Sequence, residues 1–181
     1  MTPTTSPQPV TMSHPDRWMA VLRIFLGFWF AKALFSKMDF ILLGGFFPFI
    51  HVEPRWIELM PKLVARQVAE NPILWYKAFI EGTVLPHAAL FAQLTAWGET
   101  LVGLSLVLGL FAGLGSLGAL WLSLMYGLAS AHTSPASEGF HYLLVVVTVV
   151  LFLSRPGKSW GLDGWIAWRW PGTPLSRRPL A

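Results

Sequence analysis

Two ionisable residues lie deep within long apolar runs in this sequence, Arg23 within "WMAVLRIFLGFWFAKALF", which also holds Lys32 near its end, and Glu99 within "PHAALFAQLTAWGETLVGLSLVLGL". A charge in hydrocarbon is costly unless it is paired or faces a polar cavity, so each is either a structural staple or a functional group. If the two runs thread antiparallel as helices, Arg23 falls roughly 9 Å and Glu99 roughly 16 Å from the same membrane end. That spacing predicts an Arg23–Glu99 pair, serving as a staple or as the polar wall of a ligand pocket. Around the first helix, Lys37 lies about 40° from Arg23 and Lys32 about 180° away. Lys37 therefore shares the face of Arg23, whereas Lys32 is assigned to snorkelling or to packing against a partner.

The histidines form a second set. His87 opens the second apolar run, His132 closes the third and His141 opens the fourth, so an antiparallel chain puts all three on one side with Glu138 and His51. Such a group could bind a quinone headgroup, relay protons or ligate a metal or haem, but helix ends are also where histidines are cheapest to place. Ordinary interfacial histidines carry more weight, and no metal site is assigned. The sequence has no cysteine, which excludes disulfides, thiolate metal sites, iron–sulfur clusters and CxxC redox chemistry in this chain. A redox role then needs a bound cofactor or a partner.

These residues must be positioned by membrane helices. The 181 residues suit one domain, 54% are hydrophobic and 12% charged, and the apolar residues gather in runs. Spans are expected at 18–35, 86–110, 112–131 and 139–154; the last reaches only roughly 24 Å as a helix, short of the usual core. The fold class is an all-α integral membrane protein, a bundle of four transmembrane helices. Between helices one and two, Trp56, Leu59, Leu63 and Val64 recur beside Arg55, Glu58, Lys62 and Arg66, as in an amphipathic interfacial helix. Spans two and three form a tight helical hairpin, and Ala112, Ser116, Ala119, Ser123, Gly127 and Ala131 give the third a close-packing face. Trp160, Trp165, Trp168 and Trp170 beside Arg169 read as an interfacial anchor.

The domain organisation is a disordered tail at 1–15, without the basic start of a signal peptide, a membrane domain at 16–170 and a basic tail at 171–181. The net charge of +4 is read as membrane-flanking rather than nucleic-acid-binding. Its density beside the spans at the two termini favours both termini on the cytoplasmic side.

Four stretches resemble the DoxX and DoxD group of small four-span membrane proteins, which includes the small subunit of thiosulfate:quinone oxidoreductase. They are "LRIFLG" at 22–27 with Lys37 fourteen residues after Arg23, "NPILWYKAFIEGTVLPHAALF" at 71–91, "WGETLVGLSLVLGL" at 97–110 and "GKSWGLD" at 157–163. The residues carried over are Gly98, Glu99, Gly103, Gly109 and Asp163. Two positions depart from the group: Leu34 stands where a glycine is usual, and "FAGLG" replaces a turn in which a Thr-Arg pair is common.

The resemblance implies a membrane subunit of a quinone-linked oxidoreductase in the cytoplasmic membrane of a prokaryote, in the best-known case passing electrons from thiosulfate to the quinone pool. Quinone would be its substrate, any other cofactor is left open, electrons would arrive from a partner subunit or a bound cofactor, and the chain would work with a partner subunit or as a homo-oligomer. Arg23, Lys37 and Glu99 would then line the quinone pocket, and Glu99, Arg23, His141 and His87 would serve the chemistry, a histidine exchanging protons. The alternative is a non-catalytic anchor or assembly module for a partner protein, its charges acting only as staples.

Overall fold

In hydrocarbon every backbone polar group must be satisfied within the chain, so long apolar runs become helices. The computed structural model describes residues 14–173 and 179–180; residues 1–13 of the tail expected at 1–15 and part of the basic tail at 171–181 lie outside the described residues, and Pro15 already belongs to the first helix. The helices are α1 (Pro15–Ala31), α2 (Ala33–Ser36), α3 (Pro54–Val68), α4 (Leu74–Phe79), α5 (Ala88–Leu108), α6 (Ala112–Ser130), α7 (Pro135–Ser154) and α8 (Leu162–Arg169). Among the described residues, four helical stretches are long and apolar enough to cross a membrane: Pro15–Ser36, Ala88–Leu108, Ala112–Thr133 and Pro135–Ser154. The fourth is longer than its apolar run because Pro135 supplies the first turn and the Ser134 hydroxyl accepts from the Ser137 amide.

Helices α1 and α5 pack almost backbone to backbone. A Cβ on Gly27 would stand 2.6 Å from the Val107 nitrogen, and one on Gly103 would run into the backbone of Ala31. These contacts fix an antiparallel register in which each four residues along α1 match four back along α5. Extended in both directions, that register puts Arg23 level with Phe111 and Lys37 level with Trp97.

The small-residue face of α6 points inward. Ala112, Ser116, Ala119 and Ser123 are buried, both serine hydroxyls donate to carbonyls one turn back, and Gly127 receives the His141 side chain. Leu26, Phe30, Val102, Leu106, Ala119, Leu122 and Leu151 fill the space between α1, α5, α6 and α7. Leu34, at the position where a glycine is usual, packs with Met38, Val52 and Ala96.

The connection after α2 holds an element absent from the sequence-based expectation: an antiparallel hairpin of β1 (Met38–Leu43) and β2 (Phe47–Val52). Gly44 and Gly45, at φ 62° and 79°, make its turn. Only Met38 and Val52 at its base are buried. The expected amphipathic helix is α3, which buries Met60 and Val68 against α4, α5 and α6.

Candidate functional site

Glu99 occupies the middle of α5, and two donors from other helices converge on it. Lys37, at the C-terminal end of α2, places Nζ 2.7 Å from Oε2. Tyr126 of α6 donates its hydroxyl to Oε1 through a short hydrogen bond. Both carboxylate oxygens are thus engaged by charge-assisted bonds, which offsets the cost of desolvating the acid.

Lys37 is held from several sides. Its carbonyl accepts the Glu53 amide at 2.9 Å, so the base of the hairpin fixes its backbone. Its ammonium lies 4.0 Å from the centre of the Trp56 ring, a cation–π contact. Trp56 is anchored in turn by Nε1 donating to the Ala92 carbonyl at 3.1 Å. The short α2, the hairpin and α3 thereby act together to bring one lysine to mid-bundle.

The group opens into a cavity of about 420 Å³ between α1, α2, α5, α6 and α7, in the size range of small-molecule sites. Trp29 and Phe140, their rings 5.4 Å apart, form an aromatic wall. Lys32 also lines the cavity, with Nζ 4.5 Å from the Trp29 ring, so its packing partner is an aromatic of this site. His141 completes the lining: Nδ1 lies 2.7 Å from the Ser137 carbonyl and Nε2 3.5 Å from the Ser130 hydroxyl.

Arg23 is elsewhere, and the expected Arg23–Glu99 pair does not form. Counting helix rise from the apparent ends of two runs misplaces them, since the register set by Gly27 and Gly103 separates the two residues by about 18 Å along the axis. Arg23 is fully buried near the α5–α6 turn, where Nη2 donates to the Trp160 carbonyl at 2.9 Å and Nη1 presses on Gly109 and Gly161. A side chain on either glycine would collide with the guanidinium.

Asp163 explains the closing motif. Its carboxylate accepts the Phe111 and Ala112 amides at 2.7 and 2.8 Å, capping α6 from a distant part of the sequence, and its own amide donates to the Gly109 carbonyl at 2.8 Å. Gly109 and Phe111, at φ 62° and 52°, turn the chain sharply beneath it. Burial lifts the Asp163 carboxyl above its ordinary range, with the two amides and the Arg23 charge pulling partly back.

Of the residues expected to share a site, Lys37, Glu99 and His141 meet around one cavity and Arg23 and His87 do not. His87 is exposed at the start of α5, its Nδ1 2.9 Å from the Thr83 carbonyl. Among the described residues no group of three or more His, Asp or Glu converges as a metal site. Sequence reasoning missed Tyr126 and Trp56. Tyr126 left one signal, a phenol in an apolar span whose hydroxyl must find a partner once buried.

A family model described as TQO small subunit DoxD matches residues 62–171, more than half of the chain. The matched stretch contains Glu99, Tyr126, His141 and Asp163 and begins after the helices that carry Arg23 and Lys37. No curated protein and no solved structure gives a match.

Proposed function

Because this chain belongs to the DoxD family, we propose that it is the membrane subunit of a quinone-linked oxidoreductase and that the cavity around Glu99 receives the quinone headgroup. One observation carries the assignment: a carboxylate, an ammonium and a phenol are joined in mid-bundle beside an aromatic-walled cavity. A quinone headgroup is flat and apolar with an acceptor oxygen at each end. Trp29 and Phe140 suit its ring, and Lys37 and His141 suit its oxygens.

Reduction to the quinol consumes two electrons and two protons, with negative charge growing on oxygen as the electrons arrive. Lys37 is placed to stabilise that charge, and Glu99 keeps Lys37 and Tyr126 oriented while the cavity is empty. His141, at the cavity edge beside Ser130 and Ser137, is the group suited to renewing a proton from the aqueous side. Electrons come from a partner subunit, with thiosulfate the donor that the family description favours. The setting is the cytoplasmic membrane of a prokaryote.

The small-residue face of α6 lends little to a purely anchoring role, since it is spent inside the bundle. The test is donor-dependent reduction of a quinone analogue by membranes holding wild-type or variant protein at matched abundance. Glu99→Gln preserves shape and should fold, with turnover falling on the order of 100-fold, and His141→Ala should lose about tenfold. His87→Ala should behave as wild type. Undiminished turnover in Glu99→Gln would reduce the chain to an anchor.

A further inference from the structure

A second cavity, of about 390 Å³, lies at the opposite end of the bundle, where α1 begins and α7 ends. Asp16 and Met19 from the first turns of α1 line one side, and Ser154, Arg155, Pro156, Lys158 and Ser159 line the other. Its level is that of a membrane surface, since two spans terminate at Pro15 and Ser154. Trp18 and Trp160, 64% and 62% exposed, stand at the same end, as aromatic residues do at headgroup depth.

The charges in this cavity are not paired with one another. Among the described residues, Asp16, Arg155 and Lys158 form no ion pair with one another or with any other group. Arg155 Nε is buried and has no hydrogen-bond partner among the described residues. Asp16 and Lys158 are exposed and Arg155 is partly so, which leaves all three side chains open to a ligand in the cavity. Arg155 is also held at φ 53°, in the left-handed region that glycine fills more cheaply at a helix end. The strained residue lines the cavity, and strain tolerated in this way is characteristic of ligand sites.

We propose that this cavity binds the phosphoethanolamine headgroup of a membrane phospholipid, the phosphate to Arg155 and Lys158 and the primary ammonium to Asp16. The two cations suit the phosphodiester and the single carboxylate suits the ammonium, and planar guanidinium donors fit phosphate oxygens. A choline headgroup offers Asp16 no N–H to accept, and a glycerol headgroup offers it no cation. The acyl chains would remain in the bilayer beside the spans. This site is independent of the quinone cavity and stands or falls without it.

The experiment is native mass spectrometry of the delipidated full chain, titrated separately with phosphatidylethanolamine, phosphatidylcholine and phosphatidylglycerol, with soluble O-phosphoethanolamine as a fourth arm. Wild type should retain phosphatidylethanolamine in preference to the other two lipids. Arg155→Gly removes the guanidinium while relieving the left-handed backbone, so it should melt no lower than wild type yet hold the lipid about tenfold more weakly. Asp16→Asn should abolish the preference for ethanolamine over glycerol and leave phosphate binding intact. Equal retention of all three lipids by wild type, or unchanged binding by well-folded Arg155→Gly, would overturn the assignment. Soluble O-phosphoethanolamine binding as tightly as the lipid would overturn the membrane as its source.

Discussion

Arg23 and Glu99 are the two ionisable residues deepest within apolar sequence, and each meets a different partner, although Nε and Nη1 of Arg23 stay without an acceptor among the described residues. Glu99 takes Lys37 and Tyr126, whereas Arg23 takes the Trp160 carbonyl and the neighbourhood of Asp163. Two double-mutant cycles scored by melting in detergent separate this arrangement from the simpler pairing. Lys37→Ala with Glu99→Ala should couple by about 0.5–3 kcal/mol, the range for residues in one network. Arg23→Ala with Glu99→Ala should be additive within about 0.5 kcal/mol, as for distant sites. Coupling between Arg23 and Glu99 as strong as that between Lys37 and Glu99 would contradict the register of α1 on α5. In the sequence, hydropathy singles out Glu99 and helical phase groups Lys37 with Arg23. Neither can pair Glu99 with Lys37, because pairing depends on the axial offset of two helices, which is set where Gly27 and Gly103 allow close approach.

The elements divide by how local their causes are. The four spans and the amphipathic α3 follow from hydropathy and from a period of 3.6, both carried by contiguous residues, and so are legible in the sequence. The hairpin is hidden there because its strands are apolar on both faces, which blurs strand alternation into the signature of a membrane run; only Gly44-Gly45 between them marks a turn. The closure of the α5–α6 turn is hidden for a different reason: it joins Asp163 to Phe111 and Ala112 across 52 and 51 positions, and no local pattern announces it. Asp163→Ala leaves two amides without their acceptor and should cost about 1–3 kcal/mol for each, whereas Asp163→Asn, which keeps one acceptor, should cost less. The raised Asp163 pKa means that the folded chain holds this proton more tightly than the unfolded chain. Its contribution to stability is therefore full below the ordinary value of 3.8 and is lost as pH rises through the raised one. Melting should show that decline in wild type as pH rises above 3.8 and not in Asp163→Asn; parallel profiles would remove Asp163 as its source.

At the scale of the whole molecule, the bundle keeps two polar regions apart. One, around Glu99, lies between the end of α1 and the start of α7; the other, around Arg23 and Asp163, locks the end where α1 begins and α7 finishes. Four spans put the start of α1 and the end of α7 on one side, and the proposed function takes that side as the cytoplasm. Reporter fusions after Ser134 and after Arg178 should accordingly report opposite sides, the second cytoplasmic; both on one side would remove α7 as a span. The most direct test of the proposed quinone cavity is covalent: a photoreactive azido-quinone is illuminated with the purified full chain, and the labelled residues are identified by peptide mass spectrometry. Labelling should fall on Trp29, Phe30, Phe140 and Leu144, and it should disappear when excess unmodified quinone is added and weaken in Glu99→Gln. Label spread over the lipid-facing surface, or unchanged in Glu99→Gln, would contradict a quinone site at Glu99.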